Sequence, residues 1–99
     1  MTTFQIGAID EVIHGRVRLG VMALLMAEEA ADFTALKNAL DVNEGTLSVH
    51  LRKLEEAGYV AIHKGYRGRR PLTTLSLTPE GRAAFKTYLE AIGKLAGLA

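Results

Sequence analysis

The residues of this sequence best suited to chemistry are basic and lie close together between Lys64 and Arg70. Four of these seven positions are lysine or arginine, and none is acidic. A cluster of positive side chains of this kind is typical of a surface that binds a polyanion such as nucleic acid. A solvated surface loop can have the same composition, so the interpretation depends on the elements that position the cluster.

The distribution of charge along the chain supports a polyanion site. The formal net charge of all 99 residues is only +1. Residues 1–42 carry three basic and six acidic side chains, a net charge of −3, whereas residues 43–99 carry nine basic and five acidic side chains, a net charge of +4. The basic cluster therefore belongs to a part of the chain that is positive as a whole.

The residue patterns that enzymes and metal sites require are absent from the sequence. There is no cysteine, which excludes a thiolate nucleophile, a disulfide and a zinc site of the cysteine type. There is also no phosphate-binding loop, nucleophile elbow or carboxylate pair with a supporting histidine. His14 and His63 lack the spacing of metal ligands, and His50 falls at the edge of an apolar stripe, where a structural histidine is expected. We therefore predict no metal, no cofactor and no enzymatic activity.

Length and composition are typical of a single small globular domain. Hydrophobic residues make up 48% of the chain and charged residues 23%, which predicts a packed core. The uncharged stretch over residues 19–27 is too short to cross a bilayer. Because the chain also lacks cysteine and a signal-like N-terminus, a soluble cytoplasmic protein is expected.

Two helices are predicted in the N-terminal third. A short one is expected around residues 9–14, where Asp10 and Glu11 favour a first helical turn. The next, over residues 16–28, is apolar on almost every side, and a helix of this kind must be covered on more than one face. In so small a chain, that requirement suggests a partner subunit.

A pair of closely spaced helices follows. Asp32 is suited to cap a helix that ends near Asp41. Asn43 is suited to cap the next helix, which Gly58 can end in the left-handed conformation. The two helical patterns are separated by only two residues, which is the spacing of a helix-turn-helix, placed here at residues 33–58.

The second of these helices has an inner and an outer face. At about 100° per residue, Leu47, Leu51 and Leu54 fall on one stripe and are predicted to face the core. Taken singly, the residues on the opposite side would be ordinary surface positions. Together they could approach or reach the edges of DNA bases; they are Gly45, Ser48, Val49 and Arg52.

Beyond the helix-turn-helix the hydrophobic period changes from helical to alternating. This alternation predicts one strand from Val60 and another that ends at Leu77. The intervening loop, residues 65–71, would hold three arginines of the basic cluster at its tip. We therefore predict a two-stranded basic hairpin over residues 59–78.

Thr78 and Pro79 begin the last predicted helix, which should run to about Leu95. Apolar residues recur along it at spacings of three and four, as in a seam between helices; they are Phe85, Tyr88, Ile92, Leu95 and Ala99, with Leu89 at their edge. The alternative to a seam between two chains is a helix that packs only against the core of its own chain. Because the helix at residues 16–28 also needs cover, we predict a homodimer formed by residues 79–97 and the N-terminal segment 4–28.

The combined elements resemble the winged helix-turn-helix transcriptional regulators and are similar to the MarR and ArsR groups. The resemblance is carried by residues 33–40, residues 44–60 and the segment GRRPLTTLSLTPEGR at residues 68–82, which together cover most of the chain. It implies a mainly α (α+β) fold with a β-hairpin wing. It also implies a homodimer whose second helix of the helix-turn-helix, the recognition helix, enters the major groove of double-stranded DNA. The wing would lie along the DNA backbone or in the minor groove.

The resemblance assigns DNA contacts to two sets of matching positions. In the recognition helix they are Asn43, Glu44, Gly45, Thr46, Ser48, Val49 and Arg52. In the wing they are Lys64, Arg67, Arg69 and Arg70. The cysteines through which ArsR-type proteins sense metals are missing, and MarR-type proteins are longer, so the sequence does not identify whether an effector is sensed. A winged helix that serves only protein assembly is the competing function, but three mutually repelling arginines in the wing favour nucleic acid.

Overall fold

Four α-helices and three β-strands make up residues 6–97, the part of the chain that the computed structural model describes. In chain order they are a 3₁₀ turn (Ile6–Ala8), α1 (Arg16–Ala27), β1 (Ala31–Asp32), α2 (Phe33–Leu40), α3 (Glu44–Glu56), β2 (Val60–Arg67), β3 (Arg70–Leu77) and α4 (Pro79–Leu95). The predicted order of helix-turn-helix, hairpin and final helix is confirmed.

The starts of α2, α3 and α4 are fixed by polar caps. Asp32 accepts a hydrogen bond from the backbone N–H of Ala35 at 2.7 Å, and Asn43 accepts one from Thr46 at 2.7 Å. Thr78 plays the same part for α4, whose next residue is Pro79. Each cap satisfies a backbone donor that the helix itself leaves free, so all three predicted starts are confirmed.

The helix predicted around residues 9–14 is wrong. The carboxylate of Asp10 accepts from the N–H groups of Val12, at 2.8 Å, and Ile13, at 3.3 Å, which holds the segment in a turn. Aspartate commonly competes with helix formation in this way. The same carboxylate accepts from the hydroxyl of Tyr59 at 2.6 Å, and this bond raises the pKa of Tyr59 to about 12. Asp10 therefore anchors the N-terminal segment to Tyr59, just beyond the end of α3. Residues 4 and 5 of the predicted dimer segment 4–28, and Ala99 of the predicted seam, lie outside the described residues.

The sheet has three strands rather than the two that were predicted. All neighbours are antiparallel, in the order β1-β3-β2. Strand β1 consists of Ala31 and Asp32, which pair with Leu75 and Thr74. Two residues are too few to show an alternating pattern, so this strand could not be predicted from hydrophobic periodicity.

The hydrophobic core receives side chains from all four helices, both long strands and the N-terminal segment. Its buried members are Ile9, Ile13, Val21, Met22, Leu25, Leu36, Leu47, Leu51, Leu54, Val60, Leu75, Phe85 and Tyr88. The three from α1 have no exposed surface. The apolar composition of α1 is therefore explained largely by burial within its own chain, and does not by itself require a partner subunit.

The start of α4 packs closely against Tyr59, the residue directly before β2. The backbone carbonyl of Tyr59 accepts from the N–H of Thr78 at 3.1 Å, and a Cβ at Gly81 would overlap that same carbonyl. This contact fixes the position of α4 relative to α3.

Gly81→Ala is expected to lower the free energy of unfolding by about 1–3 kcal/mol, because the added methyl group forces backbone atoms apart. Gly93→Ala is the matched control on the same helix, since a Cβ there meets nothing within 4 Å. The control should be neutral or raise stability by up to about 1 kcal/mol, the difference in helix propensity. Urea unfolding followed by circular dichroism measures both, and equal effects of the two substitutions would contradict the close packing at Gly81.

None of the helices within residues 6–97 combines the length and the apolar character needed to cross a membrane.

Candidate nucleic-acid interface

A tight turn joins α2 to α3. Asp41 lies in the left-handed region, with φ 54° and ψ 52°. Its N–H donates to the carbonyl of Asn38 and that of Val42 to the carbonyl of Lys37, both at 3.3 Å. This is the arrangement that usually ends a helix at glycine, and aspartate is one of the few other residues that tolerate it. The turn ends α2 and leaves Asn43 free to begin α3.

Helix α3 ends by the same arrangement, here with the expected glycine. Gly58 has φ 81°, and its N–H donates to Glu55 at 2.9 Å while that of Tyr59 donates to Leu54 at 2.9 Å. Glycine adopts this conformation without steric cost. The prediction for Gly58 is confirmed, and strand β2 begins two residues later.

The rotation of α3 is also confirmed. Leu47, Leu51 and Leu54 are buried in the core. All four residues of the predicted outer face are exposed; they are Gly45, Ser48, Val49 and Arg52. Asn43 and Glu44 are exposed as well, whereas Thr46 is half-buried. The helix thus presents a surface of small residues and one long cation to the outside of the molecule.

The hairpin has longer strands and a shorter loop than predicted. The strands continue to Arg67 and Arg70, which face each other across the hairpin, so only Gly68 and Arg69 form the loop. Gly68 has φ 64° whereas Arg69 has a negative φ. These are the signs of a type II′ turn, which fits the twist of two antiparallel strands. The loop predicted at residues 65–71 is therefore wrong, because the glycine permits an immediate reversal of the chain.

The register of the hairpin sorts the basic residues onto two faces. Successive side chains of a strand point to opposite sides of the sheet, so Lys64 shares a face with Val60, whose side chain is buried. Arg67 and its partner Arg70 lie on the other face. The sequence alone could not assign the basic residues to the two faces, because the face of Arg70 depends on where the strands reverse.

A groove of about 700 Å³ lies between the outer face of α3 and the hairpin. It brings together three residues that the sequence predicted to contact DNA, Ser48, Arg52 and Lys64. Thr73, directly opposite Lys64 in the hairpin, also lines the groove and was not predicted. Glu44 and Glu55 place two carboxylates on its α3 side, so the groove offers donors and acceptors rather than uniform positive charge.

Arg67 lies away from this groove. It lines a second hollow, of about 460 Å³, on the other face of the hairpin, together with Glu28 and Asp32. Arg69 and Arg70, at the tip, are exposed. The structure thus brings Lys64 next to α3 and places Arg67 on the opposite side, while Arg69 lies at the far end of the hairpin.

The histidines have separate surroundings. His50 lies on α3 with its Nδ1 3.4 Å from Nη1 of Arg18, on α1. Burial, followed by the charges of Arg18 and Lys53, lowers the pKa of His50 from its ordinary value of 6.5. His14 shares a hydrogen bond of 3.0 Å with Tyr88, and His63 is exposed. Among residues 6–97, no three histidine, aspartate or glutamate side chains are grouped so that they could hold a metal ion.

Acidification is expected to destabilise the contact between α1 and α3 through His50. Because the pKa of His50 is lowered in the folded state, the unfolded chain binds more protons as the pH falls below about 6.5, and stability falls with it. His50→Gln keeps a hydrogen-bond acceptor for Arg18 but does not titrate. Between pH 7.5 and pH 5.5, the Tm of the wild type should fall further than that of His50→Gln. A Tm difference that stays constant across this range would contradict the assignment.

The sequence pattern of the winged helix DNA-binding domain family matches residues 17–96, from the first turn of α1 to just beyond α4. This chain belongs to that family. The resemblance predicted from the helix-turn-helix and the hairpin is therefore confirmed, and α3 and the β2–β3 hairpin occupy the positions of the recognition helix and the wing in the winged helix fold.

Similar proteins come from archaea and bacteria. An uncharacterized protein of Methanocaldococcus jannaschii is 38% identical over 85 residues, which are 86% of this chain and 92% of the relative. The structure of a transcriptional regulator homologue from Pyrococcus horikoshii matches with a TM-score of 0.83 at 30% identity, covering 89% of this chain and 87% of that one. A MarR-family regulator from Enterococcus faecalis matches with a TM-score of 0.74 at 26% identity, covering 87% and 76%. The winged helix fold of this chain is thus that of transcriptional regulators related to the MarR family.

Proposed function

We propose that this winged helix protein is a sequence-specific DNA-binding transcriptional regulator that acts as a homodimer on an inverted repeat. The observation that carries the proposal is the shared groove, in which Ser48 and Arg52 of the recognition helix lie opposite Lys64 of the wing. A DNA duplex docked against this groove would contact base-reading groups of the recognition helix and a phosphate-binding group of the wing at the same time.

The charge of the wing supports contact with the phosphate backbone. From Ala57 to Pro79 the chain has no acidic residue and carries four lysine or arginine side chains. Cations that neutralise phosphates release the counterions of DNA and so bind all sequences, with a strong dependence on salt. The wing is therefore suited to position the protein on the duplex.

The outer face of the recognition helix supports reading of bases. Arg52 can form two hydrogen bonds to a guanine, Val49 can contact a thymine methyl group, and Glu44 can accept from a cytosine amino group. Ser48 can bond to several bases. Because Gly45 and Ser48 are small, the helix backbone can approach the floor of the major groove closely.

The homodimer is supported by the outer part of α4. Leu89 is 49% and Leu95 37% exposed, and Ile92 is half-buried between them. Phe85 and Tyr88, also assigned to the dimer interface by the sequence, are only 4% and 3% exposed because they pack in the core of their own chain. The surface available to a partner is therefore the apolar face from Leu89 to Leu95.

Selection of bound fragments from a pool of random duplexes tests the proposal. The expected consensus is an inverted repeat whose half-sites are about 34 Å apart, one turn of DNA, because a two-fold dimer presents two recognition helices. Binding should weaken as salt is raised above about 50 mM. A protein that binds no duplex at about 50 mM salt would instead support a role in protein assembly, with an acidic partner for the wing.

Substitutions at Arg69 and Arg52 should separate positioning from base reading. Arg69→Ala is expected to weaken binding to all duplexes alike and to reduce the salt slope by about one unit, because Arg69 lies at the tip of the wing. Arg52→Ala should relax the preference at one position of each half-site by about 1–3 kcal/mol. Anisotropy titrations on selected and random duplexes at several salt concentrations measure both quantities.

Lysine variants are the matched controls for these two substitutions. Arg69→Lys retains the charge and should behave like the wild type. Arg52→Lys also retains the charge but loses the paired hydrogen bonds to guanine, so it should lose the base preference. Equal weakening of selected and random duplexes by Arg52→Ala would show that Arg52 does not read a base.

A further inference from the structure

An exposed apolar pair lies near the tip of the wing. The side chain of Tyr66 is 75% exposed, more than any other large hydrophobic residue in the part of the chain described here. The register places it directly opposite Pro71, which is also exposed. Cross-strand partners point to the same face of a sheet, so the tyrosine ring and the proline ring form one apolar surface, next to the Arg67–Arg70 pair.

The position of this pair relative to the recognition helix is set by the strand. Tyr66 follows Lys64 by two residues and therefore lies on the same face, about 7 Å further toward the tip. Lys64 lines the groove beside Ser48 and Arg52. A duplex whose major groove receives α3 would thus meet Lys64 first and the Tyr66–Pro71 pair beyond it, across the phosphate backbone.

The charges around the pair indicate what covers it. Lys64 lies on the same face as the pair and Arg69 lies at the turn beyond it, whereas Arg67 and Arg70 lie on the opposite face. Residues 60–77, which form the hairpin, contain no acidic side chain. An apolar surface with a cation on either side of it along the hairpin is complementary to the minor groove, whose walls are deoxyribose rings and whose edges are phosphates. Tyrosine and proline also lose little conformational entropy when they are buried.

We propose that Tyr66 and Pro71 form an apolar wedge that enters the minor groove beside the recognition helix and discriminates against guanine. This inference rests on the proposed DNA binding and adds a specificity determinant to it. The discrimination follows from chemistry: the floor of the minor groove at a G·C pair carries the guanine 2-amino group, which A·T pairs lack. The ring carbons of such a wedge cannot accept a hydrogen bond from that donor and would cover it from water, which disfavours a G·C pair beneath the wedge. Apolar side chains are used as wedges in the minor groove by other DNA-binding proteins.

Two duplexes of equal length test the wedge without knowledge of the operator. One alternates guanine and cytosine and the other inosine and cytosine, so that they differ in the bases only by the 2-amino group in the minor groove. The wild type should bind the inosine duplex roughly fivefold more tightly, an effect at the low end for contact of one aromatic ring with nucleic acid. Tyr66→Ser should abolish this preference, whereas Tyr66→Phe should keep it.

His63→Ser is the matched control, because His63 is exposed on the opposite face of the same strand. It should retain the preference for inosine. Thermal unfolding should be nearly unchanged in all three variants, since each replaces an exposed side chain.

The outcomes separate the wedge from DNA binding itself. Equal binding of both duplexes by the wild type, or a preference that survives in Tyr66→Ser, would overturn the wedge and leave the proposed regulator intact. A wild type that binds neither duplex at low salt would overturn both, and Tyr66–Pro71 would then be a surface for a protein partner. A preference lost in Tyr66→Ser and kept in Tyr66→Phe and His63→Ser supports the wedge.

Discussion

Leu89→Glu is expected to convert the proposed homodimer to monomers. Affinity for a two-half-site duplex should then fall by about a hundredfold or more, because the second half-site is no longer held at high effective concentration. Leu89 is 49% exposed in the single chain. A carboxylate there remains hydrated in the monomer but must be buried without a partner in the dimer, which is strongly unfavourable. The Leu89→Glu chain should therefore fold normally and fail only to form the dimer.

Thr87→Glu is the matched control for this substitution. Thr87 is exposed on the same helix and lies about 160° around it from Leu89. Light scattering at micromolar concentration should show a dimer for Thr87→Glu and for the wild type, and a monomer for Leu89→Glu. The Tm of Leu89→Glu should also become independent of protein concentration. A Leu89→Glu protein that remains dimeric would exclude the outer part of α4 from the interface.

The helices could be predicted because their signals are local. Asp32, Asn43 and Thr78 each satisfy a backbone donor three residues ahead, and Gly58 adopts a conformation that few other residues tolerate. The prediction of a helix around residues 9–14 was wrong, and the cause is again a local hydrogen bond to the backbone. There the carboxylate of Asp10 also bonds to nearby backbone donors, but it forms an isolated turn and is further held by Tyr59, 49 residues away.

The sheet was less predictable because its details depend on contacts distant in sequence. Strand β1 exists only through its pairing with Leu75 and Thr74. The length of the wing depends on Gly68, whose positive φ lets the strands reverse at once. A longer loop would have left the faces of Arg67 and Arg70 undefined, whereas the observed turn assigns them.

The candidate site likewise combines features that local sequence signals predict with features that depend on contacts distant in sequence. The outer face of α3 follows from helical geometry and three leucines, so Ser48, Val49 and Arg52 could be identified from the sequence. The apolar seam of α4 also follows from geometry, but periodicity cannot tell which part of a seam is covered by its own chain. Contacts with the core bury Phe85 and Tyr88 and leave Leu89 and Leu95 outside. The placement of Lys64 and Thr73 in one groove needed the register of the hairpin.

Leu51→Ala is expected to cost about 2–5 kcal/mol of the free energy of unfolding, because it removes three buried carbons and leaves a cavity in the core. Leu51 is 3% exposed and lies between the core and the floor of the groove that Ser48 and Arg52 line. Small domains are stable by only about 5–15 kcal/mol, so a loss of this size steeply raises the unfolded fraction near 37 °C. DNA binding should therefore fall at that temperature in proportion to the unfolded fraction and recover at 10 °C.

Val49→Ala separates this effect from a loss of contact. Val49 lies on the same helix but is 54% exposed, so its truncation should change stability by no more than about 0.5 kcal/mol. If Val49 contacts a thymine methyl group, its truncation should weaken selected duplexes more than random ones at every temperature. Urea unfolding and DNA binding measured at 10 °C and 37 °C distinguish the two residues. An unfolding curve of Leu51→Ala that coincides with the wild type would mean that the side chain of Leu51 faces solvent, and that the recognition surface of α3 is rotated away from Ser48 and Arg52.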